Sequence, residues 1–291
     1  MTQQQVVIEK NPEVDDNIVV LDRHETMAGY ASTYGDRIAE WYEDHKLIVV
    51  PFWPIDADLE YLQGLTMPAS FAKVGSYHGI DKPLYERKGN ALVSANPITS
   101  LKADVALQIY LRDQISTIYA QLRAALPLLF PHYSLQEANI TFRYTPTSSE
   151  GILHLDVFKA TSDMHRIKLF LNMDSAYRVW TTSYDLLRVL EVYKDKFQDI
   201  SPDIDRNTLN KLVNERVGGI VPRHTLRYPG LSCVIGNGET VLHEVVSGNR
   251  MIAMEYMTAI DSMLDPEKYI GTVLPQHMRD LGYLPQARQT A

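Results

Sequence analysis

The chain has 291 residues, a formal net charge of −8 and a sequence pI near 5.6. This length allows one large domain or two small ones, and the acidic balance argues against a nucleic-acid binder, because such proteins usually carry a basic surface. The single cysteine excludes an internal disulfide and favours a cytoplasmic protein. The polar N-terminus shows no signal-peptide pattern, and no apolar run approaches the ~20 residues of a transmembrane helix.

The first part of the chain predicts a tail followed by a helical region. Residues 1–17 are polar and acidic, and we expect them to form a loose tail. Short helices are predicted at 36–45 and 54–65 from the spacing of their apolar residues. Ile98–Leu126 is the longest predicted helix, because apolar residues recur in it at spacings of three and four. Pro127 is expected to end it.

After residue 135 the pattern changes to short apolar runs that are typical of strands. The predicted strands are Ile140–Tyr144, Ile152–Phe158, Arg166–Met173, Tyr177–Thr182, Arg223–Tyr228, Ser232–Ile235, Val241–Val246 and Arg250–Tyr256. A helical insertion at 184–217 interrupts them, and its position favours a role as a lid over a binding site.

Many short strands with one helical interruption favour a jelly-roll double sheet. We therefore predict a mainly β protein with helices, of the α+β class. Its double-stranded β-helix core, jelly-roll or cupin-like, should span 136–260. N-terminal helices in a support region at 18–135 should buttress this core, within a single domain covering 18–291.

The run from Gly151 to Phe158 contains a His-x-Asp pair. Side chains two apart on a strand point to the same face, so His154 and Asp156 would project together as an imidazole and a carboxylate. They would supply two thirds of the 2-His-1-carboxylate set that binds non-heme Fe(II). His243, on another predicted strand, is the candidate third ligand.

Gly248–Asn249 lies between two apolar runs and predicts a two-residue hairpin turn. In that register His243 and Arg250 share one face, with their levels about 13 Å apart along the strand at roughly 3.3 Å per residue. A buried arginine needs an anionic partner. A bound 2-oxoglutarate, chelating iron at one end and meeting Arg250 at the other, would supply it.

Other polar and aromatic residues are expected to point into the same pocket. Arg143, Lys168 and Asn172 are further candidates for binding the cosubstrate, and Arg178 and Trp180 are candidates for binding the substrate. Glu244 alternates with His243 and is expected to face solvent.

These motifs resemble those of the Fe(II)- and 2-oxoglutarate-dependent oxygenases, and residues 140–270 are most similar to the Kdo hydroxylase group (Kdo is 3-deoxy-D-manno-oct-2-ulosonic acid). The motifs that carry the resemblance are the His-x-Asp strand, Pro229–Gly230, His243 followed by Ser247–Gly248 and Arg250, Arg166–Asn172, Arg178–Trp180 and Ser262–Glu267.

The resemblance implies that His154, Asp156 and His243 bind Fe(II), that 2-oxoglutarate is the cosubstrate and that O2 is the oxidant. The products would be a hydroxylated small molecule or sugar, succinate and CO2. An amino acid or a natural-product intermediate is an alternative substrate, with hydroxylation or desaturation as the outcome. A cupin-type metal hydrolase or isomerase and a non-catalytic binding module are further alternatives, and a homodimer is left open.

Overall fold

The computed structural model describes residues 4–65, 77–78, 81–100, 105–148, 151–158 and 163–283. The helices in this part of the chain are α1 (Met27–Tyr34), α2 (Arg37–Glu43), α3 (Leu59–Gly64), α4 (Val105–Leu129), α5 (Leu186–Val192), α6 (Arg206–Val217) and α7 (Ile270–Asp280). The strands are β1 (Val7–Glu9), β2 (Ile18–Val20), β3 (Leu47–Val50), β4 (Tyr77–His78), β5 (Tyr85–Lys88), β6 (Ala91–Ser94), β7 (Gln136–Ser148), β8 (Met164–Asn172), β9 (Arg178–Asp185), β10 (His224–Tyr228), β11 (Cys233–Gly236) and β12 (Val241–Ala259).

One large sheet organises these strands, in the order β1-β10-β9-β12-β8-β11-β3-β2, with β7 paired to both β12 and β4. Its pairs are antiparallel except for β2 with β3. The long strand β12 connects three neighbours, because residues 241–247 pair with β9, and the rest pairs with both β7 (from 247 to 257) and β8 (from 251 to 259). The predicted α+β class with a jelly-roll core is confirmed.

The predicted N-terminal buttress is also confirmed. The apolar stripe of α4, including Leu111, Ile115 and Leu122, is buried against Ile140 and Phe142 of β7 in one hydrophobic cluster with α1 and α2. The helix continues through Pro127 to Leu129, so the predicted stop is wrong by about one turn. No described helix has the length and apolarity needed to cross a lipid bilayer.

The expected loose tail is wrong for part of residues 1–17. Val7–Glu9 forms β1 and pairs with β10 at the edge of the sheet. The side chain of Val14 is buried in the cluster around α5, and Asn17 is buried and donates to the carbonyl of Ser183. Because β1 lies at the edge of the sheet and pairs on one side only, a short polar segment can form this strand without strong apolar patterning.

The predicted hairpin at Gly248–Asn249 is wrong, because β12 runs straight through these residues. An irregularity in the pairing with β7 takes the place of the turn. The carboxylate of Asp174 accepts hydrogen bonds from the backbone N–H groups of Asn249 and Arg250, at 2.7 and 3.0 Å. The Asp174 side chain, distant in sequence, therefore accepts hydrogen bonds from the two backbone N–H groups where we expected a tight turn.

The predicted strand Ile152–Phe158 is also wrong as a regular strand. The segment makes a single antiparallel bridge, between His154 and His243. Its apolar residues Leu153 and Leu155 are buried in a second hydrophobic cluster, which contains residues of α5, α6 and α7. Buried and more exposed side chains thus alternate along the segment, as they do in a strand, but the buried side chains pack against helices.

Candidate metal centre

The structure brings the three predicted ligands together. The backbone N–H of each of His154 and His243 donates to the carbonyl of the other, at 3.0 Å in both directions, and the ring centroids lie 4.7 Å apart. Asp156 lies two residues after His154, where its backbone N–H donates to the carbonyl of Gly238 at 2.7 Å. One possible ligand atom from each of the three residues lies within 4.8 Å of the other two.

Neighbouring groups fix the state of these side chains. Nδ1 of His243 lies 3.0 Å from the carbonyl of Val241, which favours the tautomer with a proton on Nδ1 and leaves Nε2 free to bind a metal. Burial lowers the pKa of His243, although the nearby Asp156 carboxylate acts in the opposite direction. The indole of Trp180 stacks on the His243 ring, with centroids 5.5 Å apart.

Asp156 is held as a carboxylate. Burial alone would raise the pKa of Asp156, but His243 and the ammonium of Lys168 lower it to about 2. The Lys168 Nζ lies 2.5 Å from Asp156 Oδ2. Two imidazoles and one ionised carboxylate form the donor set that suits non-heme Fe(II).

Gly238 leaves the space that this carboxylate occupies. A Cβ built at Gly238 would overlap Asp156 Oδ2 and would also crowd the ring of His243. The carboxylate therefore sits where only glycine permits it, against the loop between β11 and β12. The donor set and this close approach both fit a bound metal ion.

A cavity of about 330 Å³ opens beside the triad. Besides the three ligands, its lining includes Arg143, Ile152, Lys168, Phe170, Trp180 and Glu244. The predicted pocket residues Arg143, Lys168 and Trp180 are thus brought to the metal centre. Two basic side chains, Arg143 and Lys168, line the cavity together with two carboxylates, Asp156 and Glu244, so the formal charges of the lining balance, although the chain as a whole is acidic.

Arg250 and Asn172 are placed outside the described lining of this cavity. The guanidinium of Arg250 pairs with Asp174 at 2.9 Å and donates to the Tyr144 hydroxyl at 2.5 Å and to the Leu65 carbonyl at 3.0 Å. Asn172 is fully buried, and its amide bonds two backbone groups just after β8 and one at the end of β10. The anion that Arg250 was expected to need is therefore supplied by the protein itself.

Arg178 also lies outside the described lining of the cavity, but it has different surroundings from Arg250. It is 2% exposed and lies on β9, two residues from Trp180 and on the same face. Within the described part of the chain, no carboxylate lies within 4 Å of its guanidinium, and its Nε has no hydrogen-bond partner. Since an unpaired buried cation is costly, this side chain is suited to binding an anionic ligand.

Three features of the site were missed or misjudged from the sequence. Glu244 is buried rather than solvent-facing, because its carboxylate accepts hydrogen bonds from the Gly151 N–H and the Thr181 hydroxyl and pairs with Arg223. Gly238 looks like an ordinary turn residue in the sequence. Three asparagines of α6, at spacings of three and four, bind the backbone of the His-x-Asp segment. Their spacing was visible but is also common on exposed helix faces.

No family model and no curated protein matches the chain, but solved structures do. The Kdo hydroxylase KdoO, a non-heme Fe(II) α-ketoglutarate-dependent dioxygenase, in complex with α-ketoglutarate and Fe(III), matches with a TM-score of 0.68 and 16% identity over 93% of this chain and 97% of that chain. KdoO with succinate and Fe(III) matches with a TM-score of 0.67 and 17% identity over 95% of this chain and 99% of that chain. The predicted resemblance is confirmed for the fold, and it extends well beyond residues 140–270: the chain has the fold of the Kdo hydroxylase KdoO.

Proposed function

We propose that the chain is an Fe(II)- and 2-oxoglutarate-dependent dioxygenase that hydroxylates an unactivated C–H bond of a small molecule or sugar, with Kdo-type sugars as the first candidates. The observation that carries the proposal is the His154–Asp156–His243 cluster beside a cavity, in a fold shared with KdoO. Bound iron and 2-oxoglutarate would supply the oxidation of the C–H bond by O2, with release of succinate and CO2.

In this proposal the chain's own residues orient the metal and keep its ligands in the right charge state. The backbone carbonyl of Val241 orients the His243 ring, and Trp180 covers one face of it. Lys168 keeps Asp156 ionised. Asp156 also bears on the outcome, because a carboxylate ligand occupies a position that a halide would need, and so favours hydroxylation or desaturation.

For the far carboxylate of 2-oxoglutarate we assign Arg178 in place of Arg250. Arg178 is a buried cation without a carboxylate partner in the described residues, whereas Asp174 already neutralises Arg250. A carboxylate bound to a guanidinium forms a short, charge-assisted pair. The sequence predicts that Arg178 binds the substrate, whereas its unpaired buried charge supports a role in binding the cosubstrate.

The substrate end of the cavity combines a cation with apolar surface. Arg143 and Ile152 both line the cavity and are both exposed to solvent. This combination suits an acidic molecule with an apolar or ring face, which includes an acidic sugar, an amino acid and a natural-product intermediate. The cytoplasmic location, the absence of a nucleic-acid partner and a homodimer remain predictions.

An anaerobic titration of the metal-free protein with Fe(II) and then 2-oxoglutarate tests the proposal. We expect a weak visible charge-transfer band that needs both components and is lost in Asp156→Ala. O2-dependent release of succinate should then increase when a Kdo-bearing acceptor is added. The absence of the band in the wild-type protein at saturating Fe(II) and 2-oxoglutarate would overturn the assignment.

A further inference from the structure

The segment that carries His154 and Asp156 lacks the backbone pairing of a sheet strand. Beyond the bridge at His154, no strand of the described part of the chain pairs with the backbone N–H and C=O groups of residues 155–158. Buried backbone groups must nevertheless find hydrogen-bond partners, because leaving one unpaired costs about as much as losing a hydrogen bond. The partners identify what holds this segment in place.

Two asparagines of α6 act as substitutes for a neighbouring strand. Asn214 accepts from the N–H of Leu155 at 2.6 Å and donates to its carbonyl at 2.9 Å. Asn207 does the same for Phe158, at 3.2 and 2.8 Å. Each amide therefore exchanges a donor and an acceptor with one residue, as two residues of antiparallel strands do. Only a side chain with both a donor and an acceptor can do this.

Asn210 lies between them and binds Asp156 itself. It is fully buried, and its Nδ2 donates to the carbonyls of Asp156 at 2.9 Å and of Glu239 at 3.1 Å. The N–H of Asp156 donates to Gly238, the neighbour of Glu239. The backbone of the candidate ligand is thus fixed on one side by α6 and on the other by the loop after β11.

The three asparagines share one face of α6, because residues at spacings of three and four are neighbours on a helix. The rest of that helix is anchored as well. Leu209 and Val213 are buried in the same hydrophobic cluster as Leu153 and Leu155, and Arg206 pairs with the buried Glu239 at 3.3 Å. The described residues that line the cavity include none from α6, so this helix supports the segment and does not form the expected lid.

We propose that Asn207, Asn210 and Asn214 are positioning residues that set the place of Asp156 and His154, and with it the affinity for the metal. This inference rests on the proposed function, since it concerns the same metal centre. The asparagines act through the backbone, so their loss should weaken metal binding in addition to lowering the stability of the metal-free protein.

The test is a titration of the metal-free protein with Co(II), followed by its ligand-field absorption. Asn210→Ala and Asn214→Ala should weaken Co(II) binding by about tenfold, the lower end of the effect of removing groups that orient metal ligands. Asn214→Asp should also weaken Co(II) binding, because it keeps the acceptor for Leu155 N–H but replaces the donor to the Leu155 carbonyl with a second acceptor.

Two control variants separate positioning from stability. Lys211→Ala alters an exposed side chain of the same helix and should leave Co(II) affinity unchanged. Val189→Ala creates a cavity in the same hydrophobic cluster but on α5, and it should lower the melting temperature of the metal-free protein without changing Co(II) affinity. If Asn210→Ala fails to fold, Asn207→Ala serves in its place and should show a smaller loss in the same direction.

Co(II) affinity that stays within twofold of wild type in the asparagine variants would overturn the inference. An equal loss in Val189→Ala would also overturn it, because the effect would then follow stability alone. If the wild-type protein itself does not bind Co(II), the proposed function fails together with the inference, whereas tight binding by all variants counts against the inference only.

Discussion

The candidate ligands are held by two different kinds of structure. His243 lies on β12, where the backbone of residues 241–247 pairs with β9. Asp156 lies in a segment whose backbone is bound by asparagine side chains of α6 and by the carbonyl of Gly238. Both arrangements place a side chain at the same centre, within 4.8 Å of the others.

The difference determines which substitutions are tolerated around His243 and which around Asp156. A sheet ladder uses backbone groups that every residue except proline provides, so most side chains around His243 can change without moving it. A segment held by side chains depends on particular residue types at particular positions. We therefore expect the metal centre to be sensitive to changes near Asp156 that would be harmless beside a regular strand.

The largest effects should come from removing the ligands themselves. Here the segment with Asp156 and the strand with His243 should behave alike. Asp156→Ala and His243→Ala should each weaken metal binding by more than 100-fold, beyond the roughly 10- to 100-fold range for groups that only orient ligands. Co(II) titration and succinate release measure this loss. Asp163→Ala, which changes an exposed carboxylate near the start of β8, is the control. Retention of tight Co(II) binding by either ligand variant would show that its side chain does not bind the metal.

A pair of glycine substitutions should distinguish the surroundings of Asp156 from those of Arg178 on the sheet. A Cβ in Gly238→Ala would overlap Asp156 Oδ2, whereas in Gly248→Ala it would overlap the guanidinium of Arg178. Gly238→Ala should weaken Co(II) binding by about tenfold or more. Gly248→Ala, at a position with φ of +148°, should leave Co(II) affinity unchanged and weaken binding of 2-oxoglutarate. Equal effects of both substitutions on Co(II) affinity would contradict the view that Gly238 affects metal binding and Gly248 affects cosubstrate binding.

Two arginines on the strands of the sheet, the buried Arg178 and the partly buried Arg250, sharpen the comparison. Arg178→Ala should raise the 2-oxoglutarate concentration for half-maximal turnover by roughly tenfold to 100-fold, since it removes a charge-assisted pair. Arg250→Ala should leave this concentration unchanged and instead destabilise the protein by about 3 kcal/mol, because Asp174 would remain buried without its partner. Kinetics and thermal unfolding measure the two quantities. The opposite result would restore the role that the sequence predicts for Arg250.

Much of this arrangement follows from local patterns in the sequence. Alternation of apolar residues located most strands of the sheet, and the His-x-Asp spacing correctly indicated that His154 and Asp156 lie together. The distal His243 was paired with them from its place on an apolar strand. The strand patterns and the His-x-Asp spacing depend on residues that are close in sequence, so a periodic pattern is enough to find them.

The errors arise where distant residues decide the local structure. Gly248–Asn249 has the composition of a hairpin turn, yet Asp174, more than seventy positions earlier, binds both backbone N–H groups there and lets the strand continue. The His-x-Asp segment has the pattern of a strand, yet Asn207, Asn210 and Asn214 take the place of a neighbouring strand. Neither partner can be identified from a local window, because the contacts exist only in the folded chain.

The smallest effect should appear in the pH dependence of the metal-free protein. The folded-state pKa of Asp156 is lowered from 3.8 to about 2, so its ionised form contributes stability above pH 4 that is lost as the pH falls toward 2. Lys168→Met removes the ammonium beside this carboxylate and should destabilise the metal-free protein by about 1 kcal/mol at pH 5, since one pKa unit corresponds to 1.36 kcal/mol. The gap between wild type and variant should close as Asp156 becomes protonated near pH 2, whereas Lys211→Met, on an exposed face of α6, should show no such gap. Denaturant unfolding at a series of pH values measures the difference in free energy of unfolding between wild type and variant. A difference that stays constant from pH 5 to pH 2 would mean that Lys168 stabilises the protein by packing rather than by holding Asp156 ionised for the metal.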